Sequence, residues 1–286
     1  MSHGRDHLII FKKGVLIVGK LEYRFTNDVL FKLLFVRNPD LLKNLVAAML
    51  RIEPKSIKRF RITNSEMPPA GSIDEKFCRL DINMVVNGRR INLEVQVDDE
   101  GDYPERSLYY WARSYSTSLG AGKRYAALPH TIHISILAFD LFNCKEFHSE
   151  FRPLEVTRGT RLTDKMCLHY FELNKLPKTD DADDMLKLWL SLFKAETEEE
   201  LKKIEKIGGT TMKQAICAYR SVTATEEFKE LERLRDRTKR NEASALYNAR
   251  RKEREIWQGV VAEHVAELKT KDAIIAELMA KLGMRV

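Results

Sequence analysis

Cysteine is scarce in this chain: Cys78, Cys144, Cys167 and Cys217 lie far apart, and none forms a C-x-x-C pair. Such spacing fits reduced thiols in a cytosolic protein better than a disulfide or zinc framework, so no structural zinc is expected. Long apolar runs are missing as well. The tetrads LIIF and VLIV near the N-terminus are split by Lys12-Lys13-Gly14, too short for a signal segment, and no later stretch approaches the ~18 apolar residues of a membrane span. The expectation is a soluble, cytoplasmic protein with no membrane partner. Nor is there a glycine-rich phosphate loop, a nucleophile elbow or an H-E-x-x-H helix, which argues against ATPases, serine hydrolases and zinc proteases.

What is present is a chain of 286 residues, 44% hydrophobic, long enough to bury one large domain or a domain with an extension. The formal charge of +7 and pI near 9.1 favour acidic partners such as nucleic acid. With charged residues of both signs making up 32% of the chain, most of that charge is ordinary solvated surface.

Residues 8–18 read as two short strands about a Lys-Gly turn. From Thr26, TNDVLFKLLFVRN places Val29, Leu30, Leu33 and Leu34 at helical spacing behind a Thr or Asn cap. Asp28 falls in the first turn, where a carboxylate suits the helix dipole. A second helix, DLLKNLVAAML, follows Asn38-Pro39, and SIKRFRIT alternates as a strand. After the loop SEMPPAGSIDEK and a hairpin, YPERSLYYWARSYSTSLGAG predicts a helix stopped by Gly120, and HTIHISILAFDLF an apolar-rich strand. Residues 165–175 suggest one more strand, and the pattern then turns helical in DDADDMLKLWLSLFKAE, then TEEELKKIEKI, then TMKQAICAYRSVT.

Four segments result: an N-terminal extension (1–22), a mixed α/β domain (23–176), a helical region packing on it (177–224) and a charged helical tail (225–286). In the tail Val261, Leu268, Ile275 and Leu282 recur every seven residues, with Val265 and Met279 at companion positions and Asp272 interrupting them. That spacing suits a short coiled coil, with a homodimer as its simplest outcome, or a single amphipathic helix folding back on its own domain.

The chemistry gathers at residues 80–97, LDINMVVNGRRINLEVQV, where Asn87-Gly88 between alternating apolar residues marks a two-residue hairpin. A type I′ turn there pairs Val86 with Arg89, Met84 with Ile91, Ile82 with Leu93, and Asp81 with Glu94. Two carboxylates then face each other, and like charges directly opposed on a sheet are destabilising. The plain alternative, an antiparallel sheet with one wet face, leaves that repulsion unexplained. A divalent cation between the acids explains it, Mg²⁺ being a hard ion that binds through one or two carboxylates, waters and phosphate oxygens.

FTNDVLFKLLF, LDINMVVNGRRINLEVQV, ERSLYYWARSYSTSLGAGKRYAALP and HISILAFDLF, in this order between Tyr23 and Phe142, resemble the PD-(D/E)XK nuclease superfamily. The closer resemblance is to its recombination-promoting nuclease and putative transposase branch. It implies a restriction-endonuclease-like mixed sheet flanked by helices, and a DNA endonuclease dependent on Mg²⁺ or Mn²⁺. Asp81 and Glu94 would be the metal ligands, Gln96 would fill the slot where most of the superfamily has Lys, and Asp28 would be an accessory acid. A Lys stabilises developing phosphorane charge, whereas Gln offers a neutral amide, so the missing charge must come from metal or a nearby cation. Glu-x-Gln is usual in this branch.

On the next helix, Arg106, Tyr109, Tyr110, Arg113 and Tyr115 match basic and aromatic positions of the branch. Arg106 is the candidate phosphate contact and Tyr110 a candidate base-stacking residue, although Tyr109, Tyr110 and Trp111 suit core packing too. Lys123 and Arg124, just past the helix, are candidate DNA-backbone contacts. His130 and His133 fall on opposite faces of their strand and make no paired metal site. Glu66 stands where relatives often carry an acid, and equally suits a loop turn. The competing expectation is a catalytically silent nucleic-acid-binding or oligomerisation module of the same fold.

Overall fold

The computed structural model describes residues 11–12, 15–16, 19–64, 81–178 and 181–282. Near the N-terminus, β1 (Phe11–Lys12) and β2 (Val15–Leu16) pair antiparallel. Helix α1 (Asp28–Arg37) starts at Asn27, whose side chain accepts from the Leu30 amide at 2.8 Å. Seven consecutive residues, Val29 to Phe35, are buried, so this helix is enclosed on every side, with Lys32 among them. Pro39 at the first position of α2 (Pro39–Met49) suits a helix start, because its missing amide would have found no partner there.

Strand β3 (Phe60–Ile62) precedes the hairpin of β4 (Ile82–Val86) and β5 (Arg89–Gln96). Asn87 and Gly88 both take positive φ, 49° and 82°, as a type I′ turn demands. The register is Val86 with Arg89, Met84 with Ile91 and Ile82 with Leu93, as the sequence predicts. Helix α3 (Tyr103–Ser116) ends before Gly120. The hydroxyls of Ser116 and Thr117 bond back to the Arg113 carbonyl, and that of Ser118 to Tyr115, occupying the acceptors of a further helical turn.

Beyond α3 lie β6 (Thr131–Leu137), β7 (His148–Phe151) and β8 (Met166–Glu172). The four-residue β7 escapes sequence reading because it is shorter than any periodicity can reveal. Three helices complete the chain: α4 (Met185–Lys194), α5 (Glu198–Thr223) and α6 (Glu226–Lys281). Helix α5 joins two stretches that read as separate helices, across a kink at Gly209 with φ 57° and ψ −141°.

The main sheet has the order β3-β4-β5-β6-β8-β7, with β5, β6 and β8 mutually parallel and the other neighbours antiparallel. Residues paired across a ladder share a face. One face carries Ile82, Met84, Ile91, Leu93, Ile132, Ile134, Ile136 and Phe171 into the large core, with α1, α2, α4 and α5. The opposite face aligns Asn83, Asn92, Glu94, His133, Ser135, Leu168 and Tyr170, and Tyr103 of α3 packs on it. This is the mixed α/β sheet between helices that the sequence predicts. The chain divides into two compact units, Met1–Glu232 and Arg233–Val286. Within the first, the opening turns of α6 bury Phe228 and Leu231 in the large core.

Candidate active site

Asp81 immediately precedes β4, one step beyond the Ile82–Leu93 pair, so the ladder brings it alongside Glu94. Three asparagines hold it. Its carboxylate accepts from the Asn83 amide at 2.8 Å and from the Asn92 amide, and its carbonyl accepts from Asn64 at 2.9 Å. The second donor to that carbonyl is the Lys32 ammonium, at 2.9 Å. Lys32 is 1% exposed, and burial lowers its pKa to about 8 against the opposing pull of the Asp81 charge.

Glu94 points from the same face into a partly closed site, where its side chain is 15% exposed. Burial raises its carboxyl pKa to about 7; the Asp81 charge adds to that rise, while Arg106 and a hydrogen bond from Tyr103 oppose it. The Arg106 guanidinium stands 3.4 Å from Glu94 and 2.8 Å from Glu100, and 4.9 Å above the Tyr103 ring. The Tyr103 hydroxyl is itself fixed by a hydrogen bond with the Ser135 hydroxyl at 2.9 Å. On Glu94's other side the His133 Nε2 lies 3.8 Å away. That imidazole is fully buried, and burial with the Arg106 charge lowers its pKa to about 3, so it is neutral.

Gln96 follows Glu94 on the same face, with its amide donating to the Asp98 carbonyl at 3.0 Å. Asp28 opens α1 one turn before Lys32, and its carboxylate accepts from the neighbouring Val29 amide. Tyr110, one turn along α3 from Arg106, is half-buried and packs edge-on against Tyr109 at 5.8 Å. Tyr109 is 62% exposed and does not pack in the core, whereas Trp111 donates to the Thr131 carbonyl and stacks on Tyr115. Arg113, Lys123 and Arg124 are exposed. Glu66 lies outside the described residues.

Two neighbours of the site escape sequence reading. Lys32 sits in the apolar run FKLLF, where a lone lysine reads as a solvated position, and nothing local reveals that it reaches a carbonyl 49 residues away. For His133 the usable signal is parity: pairing its strand in parallel beside β5 sets it against Asn92, next to Glu94. His130, by contrast, is exposed and bonds to the Asp164 carbonyl.

The donor set fits a hard divalent cation. Two carboxylates converge, with the Glu94 carboxyl raised to about 7 by burial and further by the Asp81 charge, and the buried Asn92 Oδ1 and His133 Nε2 beside them lack hydrogen-bond partners. An acid at the start of one strand beside an acid on its hairpin partner, on a mixed sheet between helices, is the arrangement of the α/β nucleases. The chain matches the PD-(D/E)XK nuclease family transposases over residues 25–249 and belongs to that family. Membership supports a nuclease or transposase-like function, and PD-(D/E)XK nucleases generally use divalent metals. No curated protein and no solved structure matches the chain significantly. Among the described residues, no helix is long and apolar enough to cross a membrane.

Proposed function

We propose that the protein is a DNA endonuclease that hydrolyses phosphodiester bonds with Mg²⁺ or Mn²⁺ held by Asp81 and Glu94. The observation that carries this reading is the convergence of the two acids through the hairpin register, with the Glu94 carboxyl displaced to about 7. A bound divalent cation supplies Lewis acidity toward the phosphate and lowers the pKa of a coordinated water. The chain's own groups do the rest. Asn83 and Asn92 orient the Asp81 carboxylate, and Lys32 fixes the backbone that carries it. Arg106 pairs with Glu94 at 3.4 Å and with Glu100 at 2.8 Å; with a cation on the two acids, the guanidinium edge that faces Glu94 would be placed to take a phosphate oxygen, supplying the positive charge that Gln96 lacks.

Asp28 serves as an accessory acid from the start of α1, while Tyr110, Lys123 and Arg124 contribute to the DNA surface. The protein acts as a cytoplasmic homodimer joined through the heptad positions of α6.

The test is incubation of purified protein with supercoiled plasmid and Mg²⁺, with and without EDTA, beside Asp81→Ala and Glu94→Ala. Nicking that needs metal and vanishes in both variants, with their folds intact, is expected. Full activity in both variants would refute the assignment. Equal inertness of wild type and variants, with DNA still retarded in a salt-sensitive way, would instead make the chain a silent binding module.

A further inference from the structure

On the core face of the sheet, away from Asp81 and Glu94, strands β7 and β8 bring together a second set of ligating side chains. The ladder opposes Glu150 to His169 and His148 to Phe171, and Cys167 lies two residues before His169 on the same face. One carboxylate oxygen of Glu150, the Cys167 sulfur and a His169 ring nitrogen all lie within 4.8 Å of one another. The sulfur is 3.1 Å from His169 Nε2 and 3.6 Å from Glu150 Oε1. Around a tetrahedral ion with nitrogen and sulfur ligands at roughly 2.0–2.3 Å, donors stand roughly 3.4–3.7 Å apart, close to this spacing.

We propose that Glu150, Cys167 and His169 hold a divalent cation of zinc's class, with His148 orienting the histidine ligand from behind. The donor types select the ion: thiolate and imidazole favour zinc-like metals over the hard Mg²⁺ that suits Asp81 and Glu94. The support behind the ligand has the form common at metal sites. His169 Nδ1 faces His148 Nε2 at 3.0 Å, so with a metal on Nε2 the proton sits on Nδ1 and is donated to His148. Burial already keeps the site free of competing imidazolium, since His169 is lowered to about 4 and His148 is lowered too.

Burial holds the Cys167 thiol up at about 12, so binding must expel its proton to solvent as the metal–sulfur bond forms. Arg152, paired with Glu150, and Arg51, which lowers the pKa of both histidines, are the opposing positive charges; the thiolate and carboxylate together balance the ion itself. Three protein ligands leave a fourth position for water. The consequence for the fold is a staple between the short edge strand β7 and β8. A search for paired C-x-x-C motifs misses such a site, because strand geometry brings H-x-E together with C-x-H.

The test is titration of the metal-stripped full chain with Co²⁺ under reducing conditions, reading the thiolate-to-cobalt charge-transfer band. One equivalent is expected to develop the band; Cys167→Ser and His169→Gln abolish it, and Asp81→Ala, Glu94→Ala and Cys144→Ser leave it intact. His148→Ala should weaken retention by roughly 10–100-fold. The absence of a band from the folded wild type, or its survival in Cys167→Ser or His169→Gln, would overturn the proposal. Should the core variants fail to fold, exposed Glu150→Gln decides: Zn²⁺ should raise the melting temperature of wild type and much less that of this variant. Equal rises would also overturn it.

Discussion

Glu94 carries a carboxyl group whose pKa burial and the Asp81 charge raise from 4.5 to about 7, and the sign of that shift sets how the site responds to pH. An acid with a raised folded-state pKa favours the folded state only while it is protonated. Its stabilising contribution is complete below about pH 4.5 and is lost as pH climbs through 7, a loss of up to about 3 kcal/mol. Urea unfolding of the metal-free protein should therefore show stability falling over that interval, with much of the fall absent in Glu94→Gln. A divalent cation competes with the same proton, so Mn²⁺ affinity should rise about tenfold per pH unit below 7 and level off above it. Calorimetric titration across that range checks this, and a flat affinity would remove Glu94 from the ligand set. The two carboxylates were legible in the sequence because a two-residue turn is a local device that dictates cross-strand partners. Lys32 and His133 were not, since their burial depends on segments brought up only by the tertiary fold.

Helix α5 shows the same division at the level of elements. TEEELKKIEKI and TMKQAICAYRSVT read as two helices because the pair Gly208-Gly209 breaks the pattern, and the chain does leave helical geometry at Gly209. What local sequence conceals is that the second half resumes directly, packing Met212, Ala215, Ile216 and Tyr219 into the core that receives Leu201 and Ile204 from the first. The φ of 57° with ψ of −141° is a conformation essentially reserved for glycine. Gly209→Ala should cost about 1–3 kcal/mol although open space surrounds the position, because the penalty lies in the backbone. Chemical denaturation reads it directly, and unchanged stability would mean that the kink relaxes into continuous helix. The early end of α3 has a comparable origin, in hydroxyls that compete for backbone acceptors.

Of the described residues from Arg233 to Leu282, almost all are exposed. Val261, Leu268 and Ile275 are 58%, 58% and 52% accessible, an apolar seam along one side of α6. Seven-residue spacing of this kind is stable in water when a second helix covers it. Replacing Leu268 and Ile275 together by Asp should convert a dimer to a monomer in sedimentation equilibrium and leave the unfolding transition of Met1–Glu232 unchanged. A monomeric wild type would dispose of the coiled coil. At this scale the meaning of the Asn87-Gly88 turn also changes. The face on which a strand residue emerges depends only on whether its number is odd or even, so the turn acts as a parity lock. Inserting one residue beside it would send Glu94 into the core and Leu93 to the face that carries Asp81, with no change of side-chain chemistry. In this hairpin, length is therefore constrained more tightly than composition.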